Sequence, residues 1–476
     1  MKERIPAFAV IGHPNEGKSS IVSTLAEDDS VRISPIPGET RRCREYPVTV
    51  DGREVIRFID TPGFQQPRAT LQWLTDNTGP EEEMLADFIT IHRPDPDFFD
   101  ECELLSPLAD GAGIIFVVDG SRPVRSVDKI EMEILRLTGL PRMAVINTKE
   151  KNQAEFLDEW KIEARKHFNT IRLFDAQRAT YAERIDLLES LKGIDPDWQP
   201  ALTEVIDAFK NDWDQRLNDT SAILMDLIDQ VSRYAVKKSC PNESLIPEVK
   251  KSLQETYQTD IDRLEHAVHK NVRKRFKHNI FNYEFPPTSI LNEDLFSKKS
   301  WRVLGLKQWQ LMAAGGAGGG AVGAKIDLVT GGHSLGLFTA IGGLIGAGSA
   351  ALGIQQATHS RVKGLPLGRM EIQVGPIKNE QLIYVLTNRA FIYFSHVINW
   401  AHSRRDTPEV DLSSRNSAGA GFTTRWNASQ KKLFTKFFKA LQKEDGIKVG
   451  MLKPQVTTLL QDTLKNISLL KQPLEK

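Results

Sequence analysis

Cysteine is scarce in this chain of 476 residues. The three thiols, Cys43, Cys102 and Cys240, lie far apart. That excludes a disulfide framework and the paired spacings of a cysteine metal site, and it fits a reducing cytosol. An excess of charge of one sign is also missing, because 62 basic residues face 62 acidic ones. Binding of nucleic acid by bulk positive charge is therefore excluded, whereas a local patch is not. No repeat of fixed period runs through the chain, so a repeat array is not expected. The opening Met1-Lys2-Glu3-Arg4 carries mixed charge, and the apolar run Ala7–Ile11 is too short for a signal-peptide core; no secretory leader is expected there. What is present is ordinary for a globular protein: 40% hydrophobic and 26% charged residues, with chain enough for a sizeable core and, at ~150 residues per domain, about three domains.

The first third alternates short apolar runs with helical patterns. Residues 8–11 read as a buried strand, and 46–50 and 55–59 as two strands joined at Asp51-Gly52. Residues 113–119 and 143–146 read as further buried strands, with a helix over 126–137 between them. Continuous apolar strands alternating with helices indicate a mostly parallel α/β sheet. From about Gln199 the pattern turns helical. One stripe runs Leu202, Val205, Ile206, Phe209, Trp213 and Leu217 and continues to Tyr234. A second runs from Leu253 to Phe276, after a break at Ser239-Cys240-Pro241-Asn242. Together they predict an antiparallel pair of long helices. Helices are also expected over 80–92, 96–108, 380–402, 429–443 and 455–470.

The run Gly12-His13-Pro14-Asn15-Glu16-Gly17-Lys18-Ser19 matches G-x-x-x-x-G-K-[ST] between a predicted strand and a predicted helix, the context that gives the motif meaning. Gly12 and Gly17 let backbone N–H groups curl around phosphate oxygens. Lys18 supplies charge for the β- and γ-phosphates, and the Ser19 hydroxyl suits magnesium. Asp60-Thr61-Pro62-Gly63 ends the third predicted strand as a D-x-x-G element. There Asp60 would hold magnesium through water and the Gly63 N–H would sense the γ-phosphate. Between the two lies Pro37-Gly38-Glu39-Thr40-Arg41, in which Thr40 is the natural second magnesium hydroxyl.

In these three elements the chain resembles the Era/TrmE-type small GTPases, whose corresponding elements read G-x-P-N-x-G-K-S-S, a threonine before arginine, and D-T-P-G. The resemblance covers roughly the first 180 residues. The layout beyond resembles bacterial GTPases that carry a C-terminal helical domain of unknown function. The resemblance implies a P-loop NTPase fold followed by a mainly helical region, and slow GTP hydrolysis as a molecular switch. GTP and Mg2+ would be held by Gly12, His13, Pro14, Asn15, Glu16, Gly17, Lys18, Ser19, Ser20, Asp60, Thr61, Pro62 and Gly63, with Ser19, Thr40 and Asp60 on the metal. Lys18, Thr40, Gly63 and Asn15 would carry the catalytic step. Asn15 occupies the family's K+-ligand position, and two readings of it stay open: a cation ligand or a local backbone cap. The family also implies a nucleotide-dependent homodimer. Phe64 stands where Ras-type proteins place the glutamine that orients water, and a phenyl ring cannot do that.

The base-reading element departs from the family. N-K-x-D or T-K-x-D would follow the fifth strand, but the chain reads Asn147-Thr148-Lys149-Glu150-Lys151. Asn147, Lys149 and Glu150 are the candidate base contacts, with Glu150 accepting the guanine N–H donors in place of Asp; a plain surface loop is the other reading. Phe174-Asp175-Ala176 is the nearest counterpart of the S-A-K element. Two further features bear on partners. Lys270, Arg273, Lys274, Arg275 and Lys277 form a basic run, read either as a contact for RNA or anionic lipid or as a solvated helix end. Residues 311–353 hold 14 glycines in 43 positions, with recurrent G-x-x-x-G spacing and a 21-residue charge-free run at 334–354. This is either a membrane-dipping hairpin or a tightly packed soluble one. The expected organisation is a G domain over 1–180, a helical hairpin over 196–300, the glycine-rich hairpin over 301–360 and a helical part over 361–476. The expected location is cytoplasmic, peripheral to the inner membrane if the hairpin meets lipid. The RNA or ribosome alternative, and a poorly catalytic nucleotide-dependent interaction protein, stay open.

Overall fold

The computed structural model of the chain describes residues 5–26, 41–77, 83–148, 156–176, 179–240, 243–276, 289–297, 300, 303–305, 355–356, 360–362, 365–367, 370–377, 379–398 and 421–469. These fall into two compact units. The first is Met1–Asp214 with Ile398–Arg405 and Ser468–Lys476; the second is Gln215–Val397 with Asp406–Ile467.

In the first unit, strands form on runs that are apolar and buried on both faces in the centre of the sheet and partly exposed at its two edges. They are β1 (Ala7–Ile11), β2 (Arg44–Val50), β3 (Arg53–Asp60), β4 (Gly113–Asp119), β5 (Arg142–Asn147) and β6 (Thr170–Phe174). Among the described residues they make one sheet in the order β2-β3-β1-β4-β5-β6, parallel except for β2. The β2–β3 hairpin turns at Asp51 (φ 49°) and Gly52 (φ 77°), the left-handed pair that a two-residue hairpin requires. Side chains of successive residues point to opposite faces. Phe8, Val10, Ile115, Val117, Met143 and Val145 therefore pack against helices α1 (Lys18–Ala26), α7 (Tyr181–Leu191) and the first turns of α8 (Gln199–Arg233). Ala9, Ile11, Ile114, Phe116, Val118 and Ile146 face α2 (Pro67–Asp76), α3 (Met84–His92), α4 (Phe99–Ala109), α5 (Ser126–Leu137) and α6 (Leu157–Ala164).

Register decides what the sheet edge carries. Val10 pairs with Asp60, Ile11 with Phe116, Asp119 with Asn147 and Asn147 with Phe174. The carboxyl ends of five strands therefore line up. In open α/β sheets that edge is where ligands bind.

In the second unit, β7 (Val236–Cys240) follows α8 and pairs antiparallel with β11 (Met370–Val374), which also pairs with β8 (Gln355–Gln356). Strands β9 (Ser360–Val362) and β10 (Leu365–Leu367) pair with each other. The predicted break between the two long helices is thus partly a strand, and α9 (Ile246–Arg275) follows it. Helix α10 (Gln381–Ile398) is buried on every face, with Leu382 to Phe394 all enclosed. Helices α11 (Ala428–Gln442) and α12 (Gly446–Ser468) complete the unit. Helix α12 begins nine residues before the predicted 455, because Asp445 accepts the Lys448 N–H at 3.1 Å and starts the helix ahead of Gly450 and Pro454. The glycine-rich stretch 311–353 lies outside the described residues. Among those described, no helix is long and apolar enough to cross a membrane.

Candidate nucleotide-binding site

The loop between β1 and α1 is left-handed at Gly12 (φ 151°), Asn15 (φ 68°) and Gly17 (φ 100°). At Gly12 a Cβ would stand 2.2 Å from the Val117 carbonyl oxygen, so the loop can run against β4 only as glycine. Lys18 is buried and its Nζ donates to the carbonyls of Gly12 and His13, both at 3.1 Å. The ammonium is thereby held across the mouth of the loop. Ser20 faces inward, and its carbonyl accepts the Thr24 hydroxyl at 2.8 Å.

The two predicted metal-binding residues on either side of the β1–β3 seam meet. Ser19 Oγ donates to Asp60 Oδ2 at 2.8 Å, with Asp60 only 2% exposed. Thr61 Oγ1 donates to the Val10 carbonyl at 2.8 Å and to Pro62 O at 3.1 Å, fastening the D-x-x-G turn to β1. Gly63 lies against the phosphate loop itself, where an added Cβ would be 2.5 Å from Pro14 Cδ. Phe64 is a packing residue, enclosed in the same core cluster as Leu104, Leu105 and Leu108.

Asn147 ends β5 with its side chain buried. Its Nδ2 donates to the Glu16 carbonyl at 2.9 Å, and its Oδ1 accepts the Ala176 N–H at 3.4 Å. One amide thus ties the phosphate loop to the segment after β6. Asn147 and Ala176, two residues of the expected base-reading elements, are thereby in direct contact. Lys149, Glu150 and Thr40 lie outside the described residues.

A charged network behind the loop was not legible in the sequence. The Glu16 carboxylate, 4% exposed, accepts from Arg122 at 2.5 Å and from the Asp119 N–H. Arg122 also pairs with Asp128 at 2.7 Å and lies over Trp160, 5.1 Å from the ring centroid. Burial pushes the Asp128 carboxyl up, but its bonds to Arg122 and Arg125 outweigh that and hold it below the usual range. His13 Nδ1 sits 3.0 Å from Glu131, whose carboxyl burial pushes up against the pull of His13. The x positions of the motif are therefore anchored to α5. The contacts of Glu16 with Arg122 and of His13 with Glu131 join residues more than a hundred positions apart and follow no period, so no sequence signal connects them.

A family model described as a 50S ribosome-binding GTPase matches residues 7–148. A second, described as Domain of unknown function (DUF3482), matches residues 161–463. GTPase Der of Agathobacter rectalis is 44% identical over 61 residues, 13% of this chain and 14% of that protein. The tRNA modification GTPase MnmE of Geobacillus thermodenitrificans is 29% identical over 126 residues, 26% of each chain. The chain thus spans well under a third of the length of the curated relatives it matches. Among solved structures, Era of Aquifex aeolicus bound to GDP and AlF4− aligns with 18% identity and a TM-score of 0.30, covering 58% of this chain and 89% of that one. With the second model matching more than half of its residues, the chain belongs to the DUF3482 family and carries an Era/TrmE-like G domain, of the P-loop GTPase fold, in front of that domain.

Proposed function

We propose that the protein binds GTP with magnesium at the P-loop and hydrolyses it as a slow molecular switch. The observation that carries this is the 2.8 Å contact between Ser19 Oγ and Asp60 Oδ2 beside a loop whose first glycine, Gly12, admits no side chain. The pair is an all-oxygen donor set, which fits a hard divalent cation. Ser19 and Asp60, with Thr40 as second hydroxyl, would hold Mg2+, which when bound neutralises phosphate charge. Lys18 supports the reading, since its ammonium is stationed on loop carbonyls where phosphates would replace them as partners. Gly63, pressed on Pro14 of the phosphate loop, would offer its N–H to a γ-phosphate, while Phe64 is buried in the core.

Guanine is the proposed base, a reading supported by Asn147 at the end of β5, whose amide bonds both the phosphate loop and the segment after β6. Lys149 and Glu150 follow as the base contacts. A Glu in place of Asp relaxes selectivity over ATP, since a site that bonds a base edge less well rejects the wrong edge less strongly. K+ at Asn15 and a nucleotide-dependent homodimer belong to the same proposal, as does a cytoplasmic setting. For the downstream partner, the exposed Lys270, Lys274 and Arg275 at the end of α9 favour an RNA contact. The MnmE relative, a tRNA modification GTPase, supports that reading. Lipid contact by residues 311–353 is the alternative.

The test is turnover of GTP and ATP with and without Mg2+. Expected is Mg2+-dependent GTP hydrolysis on the order of 10⁻⁴–10⁻² s⁻¹ without a partner. A clear preference for ATP in competition would overturn the base assignment.

A further inference from the structure

Helix α4 (Phe99–Ala109) lies between the two segments that flank the proposed γ-phosphate site, and acidic residues of its first turns reach both. Glu101, with no exposed surface, accepts the backbone N–H of Gln65 at 2.6 Å and that of Gln66 through the same oxygen. These are the first amides after Gly63-Phe64. On the other side, Glu103 accepts the Cys43 N–H at 3.3 Å, and its main-chain carbonyl accepts the Cys43 Sγ–H at 3.0 Å. Cys43 is the third residue after Thr40. Phe64 shares a core cluster with Leu104, Leu105 and Leu108 of the same helix, so α4 packs directly against the end of the D-x-x-G segment.

Stability alone does not account for Glu101. Its second oxygen, Oε2, is buried with no hydrogen-bond partner among the described residues. A buried charge left partly unpaired costs stability. Burial pushes this carboxyl up, against the pull of the two N–H groups. What the carboxylate does supply is geometry: Gly63 is held between Pro14 on one side and the Glu101-bound amides on the other.

We propose that Glu101 is a positioning residue for GTP hydrolysis, fixing the Gly63 backbone through the Gln65 and Gln66 amides, and that α4 is the helix that follows the loss of the γ-phosphate. This rests on the GTPase reading above. The experiment measures kcat and KM for GTP with the full-length protein and its Glu101→Ala and Glu101→Gln variants. Preorganised backbone donors act mainly on the transition state, so Glu101→Ala is expected to lower kcat about tenfold or more and to leave KM within about twofold. Glu101→Gln, whose amide oxygen can still accept both N–H groups, is expected to recover most of the loss. A folded Glu101→Ala protein with wild-type kcat, or with its only deficit in KM, would overturn the proposal. Should Glu101→Ala fail to fold, hydrogen exchange on the wild type decides. Residues 61–66 and 99–105 are expected to change protection together between GDP and a non-hydrolysable GTP analogue. A change in 61–66 alone, or in neither, would overturn the proposal. A wild type that neither binds nor hydrolyses GTP would instead overturn the GTPase reading itself.

Discussion

Gly12 tolerates only hydrogen on its Cα, since the next atom out would stand 2.2 Å from the Val117 carbonyl. Gly12→Ala is expected to cost about 2 kcal/mol or more, from the collision together with the left-handed backbone at φ 151°. Thermal unfolding of the apo protein reads this directly. Asn147 is different in kind, since its amide joins two loops and supports neither alone. Asn147→Ala is expected to weaken GTP binding about 10- to 100-fold, the equivalent of ~1–3 kcal/mol for breaking a buried polar tie. An unchanged Kd would remove Asn147 from the site. Residues of this sort divide cleanly by legibility. Gly12, Lys18, Ser19 and Asp60 were legible as candidates because the G-x-x-x-x-G-K-[ST] and D-x-x-G patterns are short, local spacings. Asn147 could be read only in part, because Thr148 follows it where the family has lysine. Glu16, Arg122 and Asp128 could not be read, because nothing local distinguishes a buried ion pair from solvated charges.

Among the elements, α10 shows how the second unit is organised. Arg389 of α10 donates to Glu265 of α9 at 2.5 Å and to the Glu293 carbonyl at 2.9 Å, with 4% and 1% side-chain exposure for the ion pair. Burial pushes the Glu265 carboxyl up against the pull of Arg389. Removing one partner leaves a buried charge uncompensated, so Arg389→Met is expected to cost about 3–5 kcal/mol, and adding Glu265→Leu to recover part of it. Urea unfolding followed by circular dichroism distinguishes the two. His396, also on α10, is pushed down to about 4 from 6.5 by burial. The neutral ring is the folded form. Its contribution is therefore complete above pH 6.5 and is lost as pH falls from there through about 4, on the order of 1–3 kcal/mol. His396→Phe should flatten that part of the pH profile. Sequence periodicity found the two long helices, because an apolar stripe sustained over that many turns rarely arises except on a packed helix, and α10 lies within the helix expected over 380–402. It missed β6, a five-residue edge strand in which Arg172 interrupts the apolar run. It also started α12 late, because Gly450 and Pro454 disfavour helix locally while Asp445 nucleates it from outside.

At the scale of the whole chain, a G domain is joined to a larger, mainly helical unit, and the proposed switch needs a nucleotide cycle before it needs a partner. Cation dependence probes that cycle. If Asn15 is a potassium ligand, K+ should accelerate turnover over Na+, and Asn15→Gly, which keeps the φ of 68° while removing the side chain, should erase the difference. The measurement that tests the account most directly is titration of labelled GTP into wild type and Lys18→Ala with Mg2+ present. Lys18 is buried, its ammonium on the carbonyls of Gly12 and His13 within the proposed phosphate loop. The account predicts saturable binding by the wild type and a loss of at least about 100-fold in the variant, since a charge-assisted phosphate contact in a dehydrated site accounts for ~3 kcal/mol. Equal affinity in the two proteins would contradict it.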